Sequence, residues 1–570
     1  MDQEFDVIVC GSGAGGMTAA LCARQLGLSS VVVEKADVYG GTSAVSGGGI
    51  WIPCNEQMGK VGYTDSETEA LTYLKHLIGN EVPQSKLETY VRKAREMVGY
   101  LDRQLGVQFQ VVPRYPDYYP DQPGGKEGAR SMQPAPIDAR ALGAEFDRQR
   151  EPFKGTLVLG RVAMDQVEAH TLFGRAPGWI WLMLKLMLKY WTDFSWRRKT
   201  WRDRRLTLGQ ALVASLRLAM LRQAVPLMLG TKLESLITEQ GRVSGVVVTQ
   251  DGQVRKLLAR CGVVLATGGF ESNQALREQY LPAPTQADWT AAPRGNEGDG
   301  LKAGLAVGAA TGLMNMTWGA PTVPVPGAAS ATAVFVERSL PGCVVVNGQG
   351  RRFGNEAAPY TDFVNAVQAD HAKTGASVPC WLVFDARFRK SYPCGPLMPS
   401  SIAPDGKLPA EWLNNVYWKA DTLAALAEQI GVDAQGLAQT VSKMNEYAQT
   451  GVDTEFGKGS NAFDRYYADP KVKPNPCLAP IVDAPFYAVR LYPGEIGTKG
   501  GLLTDEAARV LRADGSVIRG LYAVGNCSAA VMGKTYAGAG ATLGPAMTFG
   551  YLAARDLAGA AHSAGTRAAA

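Results

Sequence analysis

The 570 residues carry 58 Lys and Arg against 53 Asp and Glu, a net charge of +5, and 46% of them are hydrophobic. This length and composition are typical of a globular protein larger than one ordinary domain, and they exclude a disordered chain. The 9 cysteines are scattered without any Cys-x-x-Cys, which argues for a reducing compartment, and the 4 distant histidines argue against a metal site.

The chain opens with a predicted βαβ unit. Residues 5–10 read as a buried parallel strand, residues 17–26 as a helix and residues 30–33 as a second strand. The first residues are acidic where a signal peptide carries positive charge, so we expect no secretory signal. No run of about 18 uncharged apolar residues is present, so we expect no transmembrane helix.

A glycine-rich loop joins the first strand to the helix. Gly11 permits a tight turn, Gly13 lets a pyrophosphate approach the backbone, and Gly16 allows close helix–strand packing. Glu34 lies 18 residues after Gly16 and can accept hydrogen bonds from ribose hydroxyls. This spacing predicts a dinucleotide cofactor in contact with the whole loop, which consists of Gly11, Ser12, Gly13, Ala14, Gly15 and Gly16.

A basic, tryptophan-rich insertion spans residues 170–206. Residues 179–191 form an apolar helical stretch with Lys185 and Lys189 on one face, and residues 185–205 carry eight Lys or Arg against two Asp. The stretch is too short to cross a bilayer, but it suits a helix lying in an anionic leaflet. We therefore expect a cytoplasmic protein held peripherally on the inner face of the cytoplasmic membrane.

Other interpretations of the insertion stay open. It can equally be a core helix followed by a solvated basic turn, a cover over the substrate entrance, or an oligomer contact. Binding to nucleic acid is not expected, because the rest of the chain is close to neutral.

Further glycine-rich segments follow later strands. One strand is predicted at residues 262–266, another at 520–524, and a helix at about 545–556. Several loops able to line one long extended ligand favour FAD over NAD. The remaining candidate cofactor residues are Lys35, Gly41, Thr42, Ser43, Gly47, Gly48, Ala266, Thr267, Gly268, Gly525, Asn526, Thr542 and Leu543.

These segments resemble a large flavoprotein family that contains fumarate reductase flavoprotein subunits and 3-ketosteroid dehydrogenases. That family keeps FAD in a domain built from both chain ends. The resemblance implies an α/β fold with a Rossmann-type FAD-binding domain at residues 1–288 and 498–570. An inserted α+β catalytic domain is then expected at residues 289–497.

Three tyrosine-containing segments resemble motifs of the 3-ketosteroid Δ1-dehydrogenases. They are YPDYY from Tyr115, RFGNEAAPY from Arg352 and GKTYAGAG from Gly533. In fumarate reductases the Asn-Glu motif is followed by a proton-delivering Arg, whereas Tyr360 occupies that place here. The His-Pro-Thr segment of those enzymes is also missing, because Ala320 stands before Pro-Thr. Both departures weaken the prediction of a dicarboxylate reductase.

The resemblance implies 1,2-desaturation of 3-ketosteroids such as cholest-4-en-3-one. Tyr360 would take the C2 proton with Tyr118 close enough to assist, and flavin N5 would take the C1 hydride. The Tyr536 hydroxyl and the Gly540 N–H would hold the C3 oxygen, as an oxyanion hole does. A phenol with a pKa of about 10 is a poor base at neutral pH, so Tyr360 needs hydrogen bonds or positive potential favouring the phenolate, or a relay through its neighbour.

Alternative functions share parts of this pattern. A 3-ketosteroid Δ4-(5α)-dehydrogenase has the same FAD fold, although the Tyr118 segment favours Δ1-dehydrogenation. A fumarate reductase-like flavoprotein is a further alternative. A non-enzymatic relative such as a prenyl-protein escort is disfavoured by the intact glycine loop with Glu34. The expected partners are a 3-ketosteroid, a quinone or other electron acceptor, and a membrane surface.

Overall fold

The computed structural model describes the backbone of residues 3–568 and the side chains as far as residue 562. The strands are β1 (Gln3–Cys10), β2 (Ser30–Val33), β3 (Ile50–Trp51), β4 (Phe109–Val111), β5 (Ser131–Pro134), β6 (Ile137–Asp138), β7 (Arg205–Leu206), β8 (Leu227–Met228), β9 (Thr231–Glu239), β10 (Arg242–Gln250), β11 (Gln253–Leu265), β12 (Thr311–Gly312), β13 (Thr317–Val323), β14 (Thr332–Ala333), β15 (Cys343–Val346), β16 (Cys380–Phe384), β17 (Tyr417–Ala420), β18 (Phe486–Thr498), β19 (Gly501–Leu502), β20 (Arg509–Leu511) and β21 (Val517–Ala523).

The α-helices are distributed over the whole chain. They are α1 (Ala14–Gln25), α2 (Glu67–Ile78), α3 (Gln84–Leu105), α4 (Gln166–Phe173), α5 (Trp179–Trp191), α6 (Phe194–Arg197), α7 (Leu208–Arg222), α8 (Gln274–Tyr280), α9 (Asp299–Ala306), α10 (Tyr360–Thr374), α11 (Ala386–Ser391), α12 (Leu423–Ile430), α13 (Ala434–Thr450), α14 (Ala462–Tyr466) and α15 (Leu543–Ala568).

The larger sheet has eight strands in the order β20-β21-β10-β11-β1-β2-β8, and β9 pairs with β10. Strand β1 runs parallel to β2 and β11, and β11 runs parallel to β21. The register aligns Cys10 with Val33 and with Leu265, and Leu265 with Ala523. These strands therefore end at one edge of the sheet. The carboxyl edge of such sheets is where nucleotide ligands bind.

Strand β1 is buried on both faces, which explains its continuous apolar run. Val7 and Val9 enter the core that contains helix α1, whereas Ile8 and Cys10 enter the core on the opposite face. Alternate side chains of a strand point to opposite faces, so a single strand supplies both cores.

The second sheet lies in residues 317–498 and is antiparallel, in the order β14-β13-β18-β16-β15, with β17 also paired to β18. Its long strand β18 ends beside the first sheet, where the Phe270 N–H donates to Thr498 Oγ1 at 3.2 Å. The end of β18 therefore joins the second sheet to the segment that follows β11.

Two details differ from the sequence-based expectations. Helix α1 begins at Ala14, three residues earlier than expected, and its first turn packs closely on α15, where a Cβ on Gly15 would lie 2.9 Å from the Ala546 carbonyl oxygen. Helix α9, assigned to the inserted domain, packs through Leu301 and Ala303 into the same core as Val31 of β2. The placement of the domain boundary at residue 289 stays a prediction.

The insertion forms helix α5 over the expected residues and turns much of its apolar surface outward. Leu186 and Tyr190 pack inward against a small cluster, while an outward face is formed by Trp181, Leu184, Leu188 and Trp191, which are 78%, 54%, 66% and 49% exposed. Among the helices of the described residues, none has the length and apolar character needed to span a membrane.

The basic residues of the insertion divide into two groups. Arg202 is buried and donates to the Phe146 carbonyl, and Arg205 pairs with Asp165 and Glu168. Such contacts hold the insertion to the body of the protein, so the local charge is smaller at the surface than the sequence indicates. The exposed cations are Lys185, Lys189, Arg198 and Lys199.

Candidate active site

The ends of β1 and β2 are tied together by Ser12 and Glu34. The Ser12 amide and hydroxyl both donate to Glu34 Oε2, at 3.0 and 2.6 Å. The Gly40 N–H donates to Ser12 Oγ at 2.9 Å, and the Ala14 N–H donates to Ser43 Oγ at 3.0 Å. The glycine loop, the acidic residue and the loop at residues 40–43 therefore form one wall at the carboxyl edge of the sheet.

The glycines of this wall are required by its geometry. Gly11 has a φ of +112°, and a Cβ there would lie 2.2 Å from the Ala266 carbonyl oxygen. A Cβ on Gly16 would lie 2.3 Å from the Gly11 carbonyl oxygen, so helix α1 approaches the strand closely. At Gly13 the nearest atom is Ser43 Oγ at 3.5 Å. Gly13 is thus the position open to a ligand, as the pyrophosphate of a dinucleotide requires.

Two cofactor-site candidates were missed from the sequence. Asn296 Nδ2 donates to Thr42 Oγ1 at 2.9 Å and to Glu271 Oε1 at 2.6 Å. The other carboxyl oxygen of Glu271 is buried and meets no partner in the described part of the chain. Burial raises the pKa of Glu271 to about 7. An orphaned polar atom beside the glycine wall fits a polar ligand such as FAD.

Part of the sequence pattern does point to these two residues. Glu271 comes three positions after Gly268, in the glycine-rich segment that follows the strand predicted at residues 262–266, and Asn296 lies in a glycine-containing loop. The hydrogen bonds that bring Asn296 to Glu271 and Thr42 form only in the folded chain, so the sequence alone does not reveal them.

Not every predicted cofactor residue presents a free group. The Lys35 ammonium lies 2.7 Å from Asp299 and 3.0 Å from Glu297, at the start of helix α9. The Gly47 carbonyl accepts from Gln166 Nε2 at 3.1 Å. Gly48 and Gly41 have φ values of +64° and +50°, and a Cβ on Gly48 would meet the Leu208 backbone at 2.3 Å. Their contacts with the cofactor stay predictions.

The C-terminal loops complete the wall next to the predicted substrate residues. Gly525, Asn526 and Thr542 line one cavity together with Trp318, whose Nε1 donates to Asn526 Oδ1 at 3.1 Å. Helix α15 begins at Leu543, and the N-terminus of a helix favours negative charge. The Thr542 hydroxyl also donates to Tyr536 Oη at 3.1 Å, which links the predicted cofactor and substrate sites. The remaining strand-end residue, Thr267, accepts a bond at 3.1 Å from the backbone of α9.

The three predicted catalytic tyrosines meet in one cluster. The Tyr118 hydroxyl donates to the Tyr360 hydroxyl at 3.0 Å. The Tyr536 ring centroid lies 5.0 Å from that of Tyr118 and 5.3 Å from that of Tyr360, perpendicular to the latter. Phe463 and Phe335 extend the aromatic wall, at 4.7 Å from Tyr118 and 5.0 Å from Tyr360. This arrangement brings together residues more than 400 positions apart in the chain.

Backbone contacts fix the first and last of these tyrosines relative to each other. The Tyr118 N–H donates to the Ala537 carbonyl at 3.0 Å, and the Tyr73 hydroxyl donates to the same oxygen at 2.6 Å. Asp117 is fully buried and accepts from Arg130 and from Trp51 Nε1, both at 2.7 Å. The YPDYY segment is therefore anchored on both sides of Tyr118.

The motif before Tyr360 is held by a buried ion network. Arg352 donates to both carboxyl oxygens of Glu356 at 2.7 Å, and to both of Asp453 at 3.0 and 2.7 Å. Paired, bidentate contacts of this kind are strong and directional. They set the turn that leads into α10, whose first residue is Tyr360.

Burial controls the proton affinity of the cluster. It raises the pKa of Tyr118 and Tyr360 well above the ordinary value, and the hydrogen bond that Tyr118 donates lowers the pKa of Tyr360 in the opposite direction. Burial also raises the pKa of Tyr536. Tyr536 Oη also accepts a hydrogen bond from Thr542, which lowers its pKa in opposition to burial.

Gly540 lies where no other residue fits. Its φ is +96°, and a Cβ would lie 2.4 to 2.5 Å from backbone atoms of Ile50. Within the described residues its N–H meets no protein acceptor. A free backbone donor thus stands on the segment that carries Tyr536.

Comparison with known proteins agrees with this geometry. Residues 6–543 match the FAD binding domain family. The chain is 43% identical to the 3-oxosteroid 1-dehydrogenase of Mycolicibacterium smegmatis, over 98% of each chain. It is similar to the crystal structure of 3-ketosteroid Δ1-dehydrogenase from Sterolibacterium denitrificans in complex with 1,4-androstadiene-3,17-dione, with a TM-score of 0.96, 53% identity, and coverage of 98% of this chain and 100% of that one. The chain belongs to the FAD-dependent 3-ketosteroid Δ1-dehydrogenases.

Family membership confirms three expectations from the sequence: an α/β flavoprotein fold, FAD as cofactor, and an oxidoreductase of the 3-oxosteroid 1-dehydrogenase class. The 3-ketosteroid Δ4-(5α)-dehydrogenase from Rhodococcus jostii RHA1 is also similar, with 21% identity, a TM-score of 0.64, and coverage of 98% of this chain and 97% of that one. That likeness extends to the fold alone.

Proposed function

We propose that the chain forms the C1–C2 double bond of 3-oxo-Δ4-steroids and that the tyrosine cluster performs the proton chemistry. The hydroxyl pair of Tyr118 and Tyr360, 3.0 Å apart beside Tyr536, is the observation that carries the proposal. A 3-keto group acidifies the hydrogens on C2 but not those on C1. The reaction therefore needs a base at C2 and a donor at C3. Bound FAD supplies the acceptor for the hydride that leaves C1.

Tyr360 is the proposed base. Its oxygen accepts the C2 proton, and the hydrogen bond donated by Tyr118 stabilises the phenolate from which Tyr360 must act. On the other side of Tyr118 in the YPDYY segment, the Tyr115 ring stacks on Tyr466 with centroids 4.5 Å apart and lies edge-on to Tyr467 at 5.9 Å.

Tyr536 and Gly540 are the proposed donors to the C3 oxygen. As C2 loses its proton, negative charge develops on that oxygen, and two fixed donors stabilise it more than water does. Tyr536 remains protonated at neutral pH because burial raises its pKa. The Gly540 N–H is free to donate, and glycine is needed there because a Cβ would meet the Ile50 backbone.

The test is product analysis with the FAD-loaded enzyme. Cholest-4-en-3-one and androst-4-ene-3,17-dione are each incubated with an artificial electron acceptor, and the mass and ring position of the new double bond are determined. We expect a 1,4-dien-3-one from at least one substrate. A product desaturated elsewhere in ring A contradicts the proposal, and so does the absence of any product from enzyme that has FAD bound.

We further propose that the outward face of α5 rests on the cytoplasmic membrane, and that a quinone accepts the electrons. The face formed by Trp181, Leu184, Leu188 and Trp191 lies on a helix that also carries the exposed Lys185 and Lys189, and the exposed Arg198 and Lys199 follow it in the chain. Each cation near an anionic leaflet contributes about 1 kcal/mol, in addition to the apolar burial. Sterols and quinones both partition into lipid, so a membrane-bound enzyme meets both.

Co-sedimentation with liposomes tests this second proposal. The protein is mixed with neutral and with anionic vesicles over a range of salt concentrations. We expect binding to anionic vesicles that weakens as salt rises. If the protein does not bind anionic vesicles at low salt, the membrane proposal is contradicted, and the desaturation proposal is not affected.

A further inference from the structure

Lys499 places a buried ammonium directly behind the segment that carries Tyr536. It follows the last residue of β18 and is 0% exposed. Its Nζ donates to the Thr535 carbonyl at 2.6 Å and to the Gly533 carbonyl at 3.1 Å. The carbonyls on either side of Lys534 therefore converge on one cation, immediately before the proposed C3-oxygen donor.

The same ammonium contacts the aromatic support of Tyr536. Lys499 Nζ lies 4.4 Å from the Trp318 ring centroid, within the range of a cation–π contact. The Trp318 ring packs edge-on against Tyr536 at 4.8 Å, and its Nε1 donates to Asn526. One cation thus touches both the backbone and the ring that position the Tyr536 phenol.

This charge is expensive for the fold. Burial lowers the pKa of Lys499 to about 7, and Asp362 and Glu81 act on it only from a distance. No carboxylate of the described residues lies within ion-pair distance of it, and Glu81 pairs with Lys534 instead, at 3.2 Å. A methionine of similar length would fill the space without desolvating an ammonium. The donors of the ammonium, rather than its volume, are therefore what distinguishes lysine here.

We propose that Lys499 is a positioning residue for the Tyr536 hydroxyl. It holds the 533–535 backbone and the Trp318 ring so that the phenol points at the C3 oxygen of the steroid. The inference rests on the proposed role of Tyr536 as the C3-oxygen donor. Misplacing a catalytic group by about 1 Å costs up to about 100-fold in rate, so a distant anchor can have a large effect.

A double-mutant cycle in the FAD-loaded enzyme separates positioning from general stability. The variants are Lys499→Met, Tyr536→Phe and the two combined. The readouts are turnover and isotope exchange at C2 of androst-4-ene-3,17-dione without an electron acceptor. We expect Lys499→Met to slow exchange about 10-fold when Tyr536 is present and less than about 2-fold when it is Phe, because the anchored hydroxyl is then gone.

Lys458→Met is the matched control. Lys458 is also a buried lysine that donates to a backbone carbonyl, that of Cys343, at 2.9 Å. We expect it to lower thermal stability without slowing exchange by folded, FAD-loaded enzyme. Lys499→Gln keeps two N–H donors without the charge and should slow exchange less than Lys499→Met does. If Lys499→Met does not retain FAD, Lys499→Gln enters the cycle, and a slowing that disappears in the Tyr536→Phe background is then the expected result.

The outcomes distinguish the inference from its premise. Equal slowing by Lys499→Met in both backgrounds overturns the positioning role while leaving Tyr536 as a donor. Unchanged exchange in Tyr536→Phe overturns the donor role itself. A non-additive cycle, with the Lys458 control unaffected, supports the inference.

Discussion

Three tyrosines of the same cluster receive different roles from their immediate neighbours. Tyr360 accepts a hydrogen bond from a second phenol, Tyr118, whereas Tyr536 accepts one from an aliphatic hydroxyl, that of Thr542. Burial raises the pKa of both, so neither acts as a free phenol would in water. Both phenols accept a hydrogen bond, so their surroundings separate the proposed base from the proposed donor: Tyr360 pairs with Tyr118, and Tyr536 lies on the segment that carries the Gly540 N–H.

Tyr360→Phe is expected to nearly abolish turnover while FAD stays bound. The change removes the oxygen that accepts the C2 proton, and general base catalysis contributes about 100- to 10,000-fold. The measurement is steady-state turnover together with the flavin absorbance of the purified variant. A variant that keeps more than about a tenth of the wild-type rate makes the base role untenable.

Tyr536→Phe is expected to lose about 100-fold in rate, from one missing donor to the C3 oxygen. Exchange at C2 without an electron acceptor should slow with turnover. Tyr487→Phe serves as the control, since Tyr487 is a buried tyrosine whose hydroxyl donates to Asp405 at 2.9 Å in the second sheet. Unchanged exchange in Tyr536→Phe would place Tyr536 outside the enolisation step.

At the scale of elements, the motif before α10 depends on an ion network that titrates in acid. Burial alone would raise the pKa of Asp453, but hydrogen bonds from Arg352 outweigh it and lower this pKa to about 2. A carboxyl with a lowered pKa stabilises the fold above about pH 4, and that stability is lost as the pH falls toward 2.

Asp453→Asn is therefore expected to lower the free energy of unfolding by about 1 to 2 kcal/mol at pH 7 and by less at pH 3. Unfolding is followed thermally at both pH values. Asp121→Asn, at an exposed position, is the control and should change little. If the loss of unfolding free energy caused by Asp453→Asn is larger at pH 3 than at pH 7, the prediction is wrong.

The outward face of α5 makes a second prediction at this scale. Leu184→Ser with Leu188→Ser should weaken binding to anionic vesicles at least about 10-fold, because burying each leucine contributes about 1.5 to 3 kcal/mol. Both side chains are exposed, so folding should be unaffected. Val254→Ser, at an apolar position that is 71% exposed on β11, is the matched control. Equal losses in the two proteins would contradict a docking role for α5.

Local patterns predicted the elements better than the site. The strand ends at Cys10 and Leu265, and helix α5 itself, follow from runs of apolar residues and from glycine spacing. The outward face of α5 did not, since apolar residues lie on both sides of Lys185 and Lys189, and the pattern does not show which of them the fold will cover. Glu271 and Lys499 were missed because their partners lie in distant segments, and no local pattern marks them.

At the scale of the whole molecule, the wall at the carboxyl edge of the larger sheet is assembled from segments far apart in the chain. The glycine loop after β1, the segment after β11 and the loop after β21 meet because parallel pairing aligns their strand ends. The second sheet enters between β11 and β21 and reaches this wall through the end of β18. Family resemblance predicted that arrangement, while the register and the contacts required the structure.

The pairing of β11 with β21 also has a consequence for biosynthesis. Val263, Val264 and Leu265 pair with residues of β21 that the ribosome adds more than 250 positions later. At about 5 to 20 residues per second, this stretch of the sheet stays open for about 12 to 50 seconds. An unpaired strand edge is a template for aggregation. This edge is therefore open to aggregation during that interval, and the loop after β21 can reach the carboxyl edge of the sheet only after nearly the whole chain has been translated.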